Sequence, residues 1–353
     1  MRVNLVSMQR VMNQGSFLQA YALRKLLSEN GAEVRFSDIR PGIANDTMAE
    51  HYDEEFLSGT VKYYSKIKLH SKVKKQRSIL LEAQKSGLEL DAKEFDSPDL
   101  TVIGSDEVFN CLAPSAWGIS KQLLGDVDGS PRTVSYAASC GHTRFENIPE
   151  QCMCYISKAL SKFEQISVRD QNTLDFINSF GLTAECHLDP VLIYEFPNEL
   201  KPVELHDRYM LIYSYSGRIH NTDDINNIKE FARKRHLKTV AAGEMQYWCD
   251  INLPVHPFEL LWLFKNAEYV LTDTFHGAIM SMKYNKNMVC LIRNSNRNKL
   301  SDLLIRLGRE DRIIDAVNEI ETIYEKKTNY CETNRIIDRE RERTRKYLYN
   351  ILR

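Results

Sequence analysis

A chain of 353 residues is long for a single hydrophobic core and suits two domains of roughly 150 to 200 residues each. With 43% hydrophobic and 27% charged residues and a formal net charge of −1, its ordinary globular composition excludes a generally basic nucleic-acid binder, so any cationic surface must be local. Eight cysteines at irregular positions, without a Cys-x-x-Cys pair, exclude a disulfide framework or a zinc site and read as reduced thiols of a cytoplasmic protein.

Residues 1–7 hold too short an apolar run for a secretory signal and read as a first strand. Nowhere is there the run of about 18 apolar residues that a membrane span needs. A polar glycine turn at 12–17 leads into a helix ending near Asn30, with Leu18, Tyr21, Ala22, Leu26 and Leu27 on one face and Gly31 as its stop. A strand at 32–36 completes a right-handed βαβ unit, and with it a parallel sheet has started. Residues 45–96 interrupt this rhythm with a long, polar, mostly helical insertion, in which 62–77 is the only strongly basic segment. Strands at 100–103, 133–137 and 165–168 resume the sheet, and each runs into a polar turn. Helices at roughly 150–162 and 171–180 complete the first lobe, and a charged stretch with Pro197 and Pro202 reads as a linker.

The second lobe alternates strand 209–213, helix 223–235, strand 239–241, helix 257–266, strand 269–272, helix 278–284, strand 288–292 and helix 299–307. This is a second doubly wound unit. Residues 334–353 read as a helix with Glu340/Thr344 and Glu342/Lys346 at i,i+4 spacing, and with Ile336, Ile337, Leu348, Ile351 and Leu352 as candidates for burial. The expected organisation is α/β with two facing Rossmann-like lobes: residues 1–195 with the helical insertion 45–96, a linker at 196–208, residues 209–330, and a C-terminal helix at 331–353 leaning across the lobe boundary.

Ligands of such sheets bind at the carboxyl ends of the strands, so the strand-to-helix turns carry the chemistry. The stretch 269–278 is the most informative of them: a buried strand, a polar turn and a helix start bearing His276. A helix amino terminus favours an anion there. The plainer alternative is that Thr272 and Asp273 cap the helix while His276 packs against the sheet. The absence of Gly-x-Gly-x-x-Gly after the first strand, and of a Gly-x-x-x-x-Gly-Lys-Ser/Thr loop, argues against a nicotinamide dehydrogenase or a P-loop enzyme. The first lobe offers Asn13, Gln14, Ser16, Ser105, Asp106, Asn110 and Ser139, neutral and acidic groups that suit a sugar. Arg169, Arg218, Arg293 and Arg297 lie near strand ends and suit an acidic donor, since arginine grips carboxylate and phosphate as a fork. Taken singly, each arginine reads first as a surface ion pair; Arg169, directly beyond a buried strand, is the best placed for a ligand, and Asp106 reads as a group that binds a sugar hydroxyl or acts as a base, or equally caps the next helix.

Asn13-x-Gly15-Ser16-Phe17-Leu18-Gln19-Ala20, residues 102–110, Ser135-Tyr136-Ala137-Ala138-Ser139, Ile166-Ser167-Val168-Arg169-Asp170, Leu188-Asp189-Pro190 and Thr272-Asp273-Thr274-Phe275-His276-Gly277 together resemble the polysaccharide pyruvyl transferase family. The resemblance implies a fold like that of GT-B glycosyltransferases and transfer of pyruvate from phosphoenolpyruvate, as co-substrate and without a cofactor, onto a hexose of a cell-surface glycan or its lipid-linked precursor. It places His276 and Arg169 at positions the family uses for phosphoenolpyruvate. Some members carry an arginine two residues before the motif histidine, where this sequence has Thr274. The resemblance therefore leaves the phosphate to Arg169, the helix start at Gly277, and Arg293 or Arg297.

Such chemistry needs a proton delivered to C3, a base for the sugar hydroxyl and help for the leaving phosphate. His276 is the candidate acid-base group or phosphate clamp, since an imidazole ordinarily titrates near neutrality. The rivals are a GT-B glycosyltransferase using a nucleotide sugar and a non-catalytic sugar-binding protein of a glycan assembly complex. The basic segment 62–77, with Tyr63, Tyr64, Ile67, Leu69 and Val73 among its lysines, reads either as a solvated helix or as a peripheral contact for the inner face of a membrane or a lipid-linked acceptor.

Overall fold

A computed structural model of the chain describes residues 1–43, 59–112, 117–293 and 296–353, with 59–68 described by their backbone. The chain divides into two units, the first comprising Met1–Tyr52, Gln84–Glu195 and Ile337–Arg353 and the second Asp53–Ala83 and Phe196–Ile336.

In chain order the first unit contains β1 (Arg2–Val6), α1 (Gln14–Glu29) and β2 (Glu33–Phe36). Helix α2 (Gly59–Gly87) follows, and then β3 (Leu100–Asp106), β4 (Thr133–Ala138), α3 (Glu150–Leu160), β5 (Ser167–Val168), α4 (Gln171–Ser179), β6 (Glu185–Cys186) and α5 (Pro190–Ile193). The six strands are parallel in the order β2-β1-β3-β4-β5-β6. The chain thus winds outward from β1 to one side and from β3 to the other, which makes the gap between their carboxyl ends a topological switch point. Strand β4 is buried along its whole length and β3 up to Asp106, as parallel strands covered on both faces must be. Val6, Ile103, Phe109, Ile156, Leu160, Val168, Phe176 and Ile177 form part of the core beneath that edge.

The second unit repeats the plan with β7 (Tyr209–Tyr213), α6 (Thr222–Lys234), β8 (Lys238–Ala242), β9 (Ile251–Leu253), α7 (Pro257–Asn266), β10 (Tyr269–Thr272), α8 (Phe275–Lys283), β11 (Asn287–Leu291), α9 (Arg297–Arg306), β12 (Ile313–Ile314) and α10 (Ile320–Glu325). Its parallel strands run β12-β11-β10-β7-β8-β9, the order of a dinucleotide-binding fold, with the switch point between β7 and β10. Helix α6 shows why the sequence reads clearly here. Asn221 caps it, Asp223 and Asp224 sit at its positive end and Arg233 and Lys234 at its negative end, while Ile225, Ile228, Phe231 and Ala232 are buried.

The structure departs from the sequence reading in four places. The edge strands β6, β9 and β12 have two or three residues each, too few to show a period, and were not anticipated. Helix α8 begins at Phe275 rather than at 278, because its cap is Thr274 and not Thr272 or Asp273. Residues 59–83 of the insertion group with the second unit, although the sequence places 45–96 in the first lobe. The reason is long-range: Gln76 donates to the Val255 carbonyl at 3.0 Å and accepts from the Val255 N–H at 2.8 Å, while Lys72 donates to the Asn252 carbonyl at 2.9 Å. Of the insertion, residues 45–58 lie outside the described residues.

The fourth departure is in the ion pairs of α11 (Cys331–Ile351), a helix whose first residues belong to the second unit and the remainder to the first. Thr333 donates to the Leu307 carbonyl, whereas Tyr347 donates to the Ser135 carbonyl and the Tyr136 and Thr344 hydroxyls pair at 3.1 Å. Ile337, Leu348 and Ile351 are buried as expected, but the helix's own ion pairs fall at i,i+3, among them Arg341–Asp338, Arg343–Glu340 and Arg345–Glu342.

Candidate active site

The switch point of the second unit gathers side chains from three strand ends. Asp273, directly after β10, is fully buried, and burial pushes its carboxyl pKa up while Arg218 and Arg293 pull it back. Arg293, beyond β11, donates from Nε to Asp273 Oδ2 at 3.2 Å and from a terminal nitrogen to the Arg218 carbonyl at 2.9 Å. Arg218, in the loop after β7, lies 3.8 Å from the same carboxylate oxygen and stacks over the Tyr215 ring at 4.6 Å. Asn296 completes the frame, donating to the Asp273 carbonyl at 2.7 Å and accepting from the Arg293 N–H at 2.8 Å. Two guanidinium groups therefore share one carboxylate, and both keep part of their surface in solvent, with side-chain exposures of 26% and 21%.

The helix start beside them is tightly packed. Thr274 Oγ1 accepts the Gly277 N–H at 3.0 Å, and the Thr272 hydroxyl donates to the Tyr213 carbonyl at 2.6 Å. A Cβ on Gly277 would lie 2.0 Å from Thr272 Oγ1, so only glycine lets α8 approach the strand end. Gly277 is thus a packing residue whose N–H serves the cap, and Thr274 is that cap. His276, at the second position of α8, is half-buried with its ring edge-on to Phe275 at 5.6 Å. Arg297 is elsewhere: it pairs with Asp315 at 2.6 Å on an exposed surface.

One group here has no signal in the sequence. Glu244 follows β8 after Gly243, in the left-handed conformation with φ of 76°, and its carboxylate accepts the Ser216 N–H. Burial pushes its pKa up to about 7, the Ser216 N–H opposes this, and the neighbouring Asp273 charge adds to it. An isolated glutamate after a short strand has no motif to mark it; only the fold brings it beside the β7 loop.

The first unit's switch point has the opposite character. Asp106, at the end of β3, adopts φ of 77°, a left-handed conformation costly for a residue with a side chain. Its Oδ2 accepts the Ser16 hydroxyl at 2.7 Å, and its Oδ1 accepts the Glu107 N–H at 3.0 Å. Asn13 caps α1 by accepting the Gly15 and Ser16 N–H groups at 2.8 and 3.2 Å, which sets Ser16 in place. Arg169, just past β5, is buried. It donates to Asp189 Oδ2 at 2.9 Å and lies 3.9 Å from Asp106 Oδ1. Burial lowers its pKa, but Asp189, Asp106, Asp170 and Glu107 outweigh this and hold it charged. Ser105 is fully buried, with its hydroxyl 3.5 Å from the same Asp189 oxygen.

Asn13, Ser16, Ser105, Asp106 and Arg169 thus come together. Ser139 and Asn110 serve the surrounding loops: Ser139 donates to the α4 cap Asp170 at 2.7 Å, and Asn110 donates to Glu107 and accepts from Leu112 and Thr143. Gln14, the first residue of α1, is buried. Among the described residues no cluster of three or more His, Cys, Asp or Glu side chains could hold a metal ion, and no helix is long and apolar enough to cross a membrane.

No curated protein matches the chain. Solved structures similar to it include the UDP-GlcNAc 2-epimerase from Neisseria meningitidis bound to UDP-GlcNAc, at 12% identity over 99% of this chain and 100% of that one with a TM-score of 0.50. The UDP-GlcNAc 2-epimerase from Methanocaldococcus jannaschii (12% identity, 98% and 100% covered, TM-score 0.49) and the spinosyn rhamnosyltransferase SpnG (12%, 99% and 100%, TM-score 0.49) are similar too. At such identity the likeness concerns the fold alone, two parallel-sheet α/β lobes of the GT-B kind. A family model described as polysaccharide pyruvyl transferase matches residues 13–295, a span that includes Asn13, Asp106, Arg169, Arg218, His276 and Arg293. Because that match covers most of the chain, the protein belongs to the polysaccharide pyruvyl transferase family, a family of transferases.

Proposed function

We propose that the protein moves the pyruvyl group of phosphoenolpyruvate onto a hexose of a cell-surface polysaccharide, or of its lipid-linked precursor, as a ketal. The observation that supports this most is the pair of partly exposed guanidinium groups at the second switch point, where Arg218 and Arg293 share the buried carboxylate of Asp273. A small donor carrying both a carboxylate and a phosphate matches two partly exposed guanidinium forks. In the reaction, C3 of the donor gains a proton and a sugar hydroxyl adds to C2 as it loses its own. The C2–O bond to phosphate then breaks, the departing phosphate takes the bonding pair, and a second hydroxyl closes the ketal as its proton leaves.

His276 is the acid-base group or phosphate clamp in this scheme, and Glu244, which holds its proton to about pH 7, is a second proton source in the same unit. Asp106 is the base or hydroxyl partner of the acceptor. Arg169 acts as a positioning residue for Asp106, because its guanidinium is already engaged by Asp189. The donor is a co-substrate, and no separate cofactor enters.

The test is phosphate release together with mass gain of the acceptor, with phosphoenolpyruvate and a panel of hexosides and lipid-linked sugars. Release coupled to acceptor is expected, falling roughly a hundredfold or more in His276→Ala. Thermal stabilisation by a nucleoside diphosphate, with no phosphate release from any acceptor, would overturn the reading in favour of a nucleotide-sugar glycosyltransferase. Near wild-type release by His276→Ala would remove that histidine from the mechanism.

A further inference from the structure

Helix α2 carries eight Lys and Arg residues against a single glutamate, in a chain whose net charge is −1. One of its faces is fixed to the second unit. Leu69 and Leu80 are buried, Gln76 exchanges two hydrogen bonds with the backbone of Val255, and Lys72 donates to the Asn252 carbonyl. The rest of the helix over 70–82 looks into solvent, and it presents Lys74, Lys75 and Arg77 exposed alongside two large apolar side chains, Val73 at 49% and Leu81 at 50% exposure.

The cations of α2 differ from those of the other long charged helix. In α11, Arg335, Arg341, Arg343 and Arg345 each have a carboxylate of their own helix within 4 Å, whereas Lys74, Lys75 and Arg77 have no ion-pair partner among the described residues. Such unneutralised charge on a rigidly held helix, interleaved with half-exposed aliphatic side chains, is complementary to a surface that is anionic outside and apolar just beneath. Nucleic acid would reward the cations but leave Val73 and Leu81 against phosphate and water.

We propose that the outer face of α2, centred on Val73, Lys74, Lys75, Arg77 and Leu81, docks on an anionic lipid bilayer. Val73 and Leu81 enter the interfacial region while the three cations sit at headgroup level. This inference is independent of the reaction proposed above, and it would place a transferase where a lipid-linked sugar is presented.

Flotation of the full chain with phosphatidylglycerol/phosphatidylcholine vesicles, against vesicles of phosphatidylcholine alone, tests it. Binding to the anionic vesicles alone is expected, weakening as salt is raised. Neutralising all three cations together, Lys74→Ala with Lys75→Ala and Arg77→Ala, should lower partitioning by about a hundredfold. A second variant, Val73→Ser with Leu81→Ser, keeps the charge and should weaken binding by roughly tenfold or more, which a purely electrostatic attraction would not show. Both variants alter exposed side chains, and a thermal melt matching that of the wild type confirms that they fold. Equal flotation of wild type and the cation variant, no flotation on anionic vesicles, or equal binding by the serine variant would each overturn the proposal. So would cation-dependent binding to double-stranded DNA or RNA with none to vesicles.

Discussion

The two switch points are built on one plan with the charges exchanged. In the first unit one buried arginine, Arg169, lies among Asp189, Asp106, Asp170 and Glu107; in the second one buried aspartate, Asp273, is shared by Arg218 and Arg293. The first arrangement surrounds Asp106 with carboxylates and hydroxyls, the second leaves two guanidinium groups partly in solvent. The contrast teaches that a buried ion at such an edge is the framework, and that its less buried partners define what the edge attracts. An acidic, hydroxyl-bearing edge suits a sugar and a basic one suits an anion, which is the division of labour proposed above.

The sharpest way to break this comparison is to remove each buried ion or its partner. Arg169→Leu leaves Asp189 buried without its countercharge and should cost about 3 to 5 kcal/mol of stability, read from urea midpoints. A loss below about 1 kcal/mol would show that Arg169 is not framework. Arg293→Ala should leave the fold largely intact, because the guanidinium keeps a fifth of its surface in solvent and Arg218 still faces Asp273. It should instead weaken phosphoenolpyruvate binding by about 1.5 to 3 kcal/mol, measured by calorimetry. Unchanged affinity would sink the anion role of the second edge.

The helix caps sharpen the comparison from the side where the two units agree. Asn13 and Thr274 do the same work at the start of α1 and α8, so Asn13→Ala and Thr274→Ala should each lower the melting free energy by about 1 kcal/mol. A far larger loss of phosphate release than of stability in Thr274→Ala would show that the cap also touches the donor.

The smallest effect concerns Glu244. Its carboxyl keeps its proton to about pH 7 in the folded chain, against the ordinary glutamate value of 4.5 that it regains on unfolding. Between those values the folded state binds more protons, so stability falls as pH rises through the window and is level above it. Glu244→Gln should remove that fall, a difference on the order of 1 kcal/mol between pH 5 and pH 8 once partial exposure is allowed for. Parallel stability curves for the variant and the wild type would show that the carboxyl is not held protonated.

Much of the frame was legible beforehand because its signals are local. The all-buried runs of β4 and β7, the alternation of strand and helix, and the caps and glycines at the helix ends all lie within a few residues of one another. The edge strands carried no such signal, nor did the association of residues 59–83 with the second unit, which rests on bonds such as Gln76 to Val255 across 179 positions. Among the site residues, the sequence sets Arg169 apart by its place directly beyond a buried strand, but leaves Arg218, Arg293 and Arg297 as equals near strand ends and says nothing of which carboxylate each meets. Burial against Asp189, a shared Asp273 and an exposed pair with Asp315 are what separate them.

By itself, then, the sequence determined that the chain makes two parallel α/β lobes and carries the family's motifs, because hydrophobic period, capping and glycine conformation act over a few residues. Which ionised groups are buried and neutralised, and which remain to meet a ligand, was decided by tertiary structure alone. Solvation and Coulomb energies depend on distance in space, and the carboxylates and arginines that set them come from strand ends far apart in the chain.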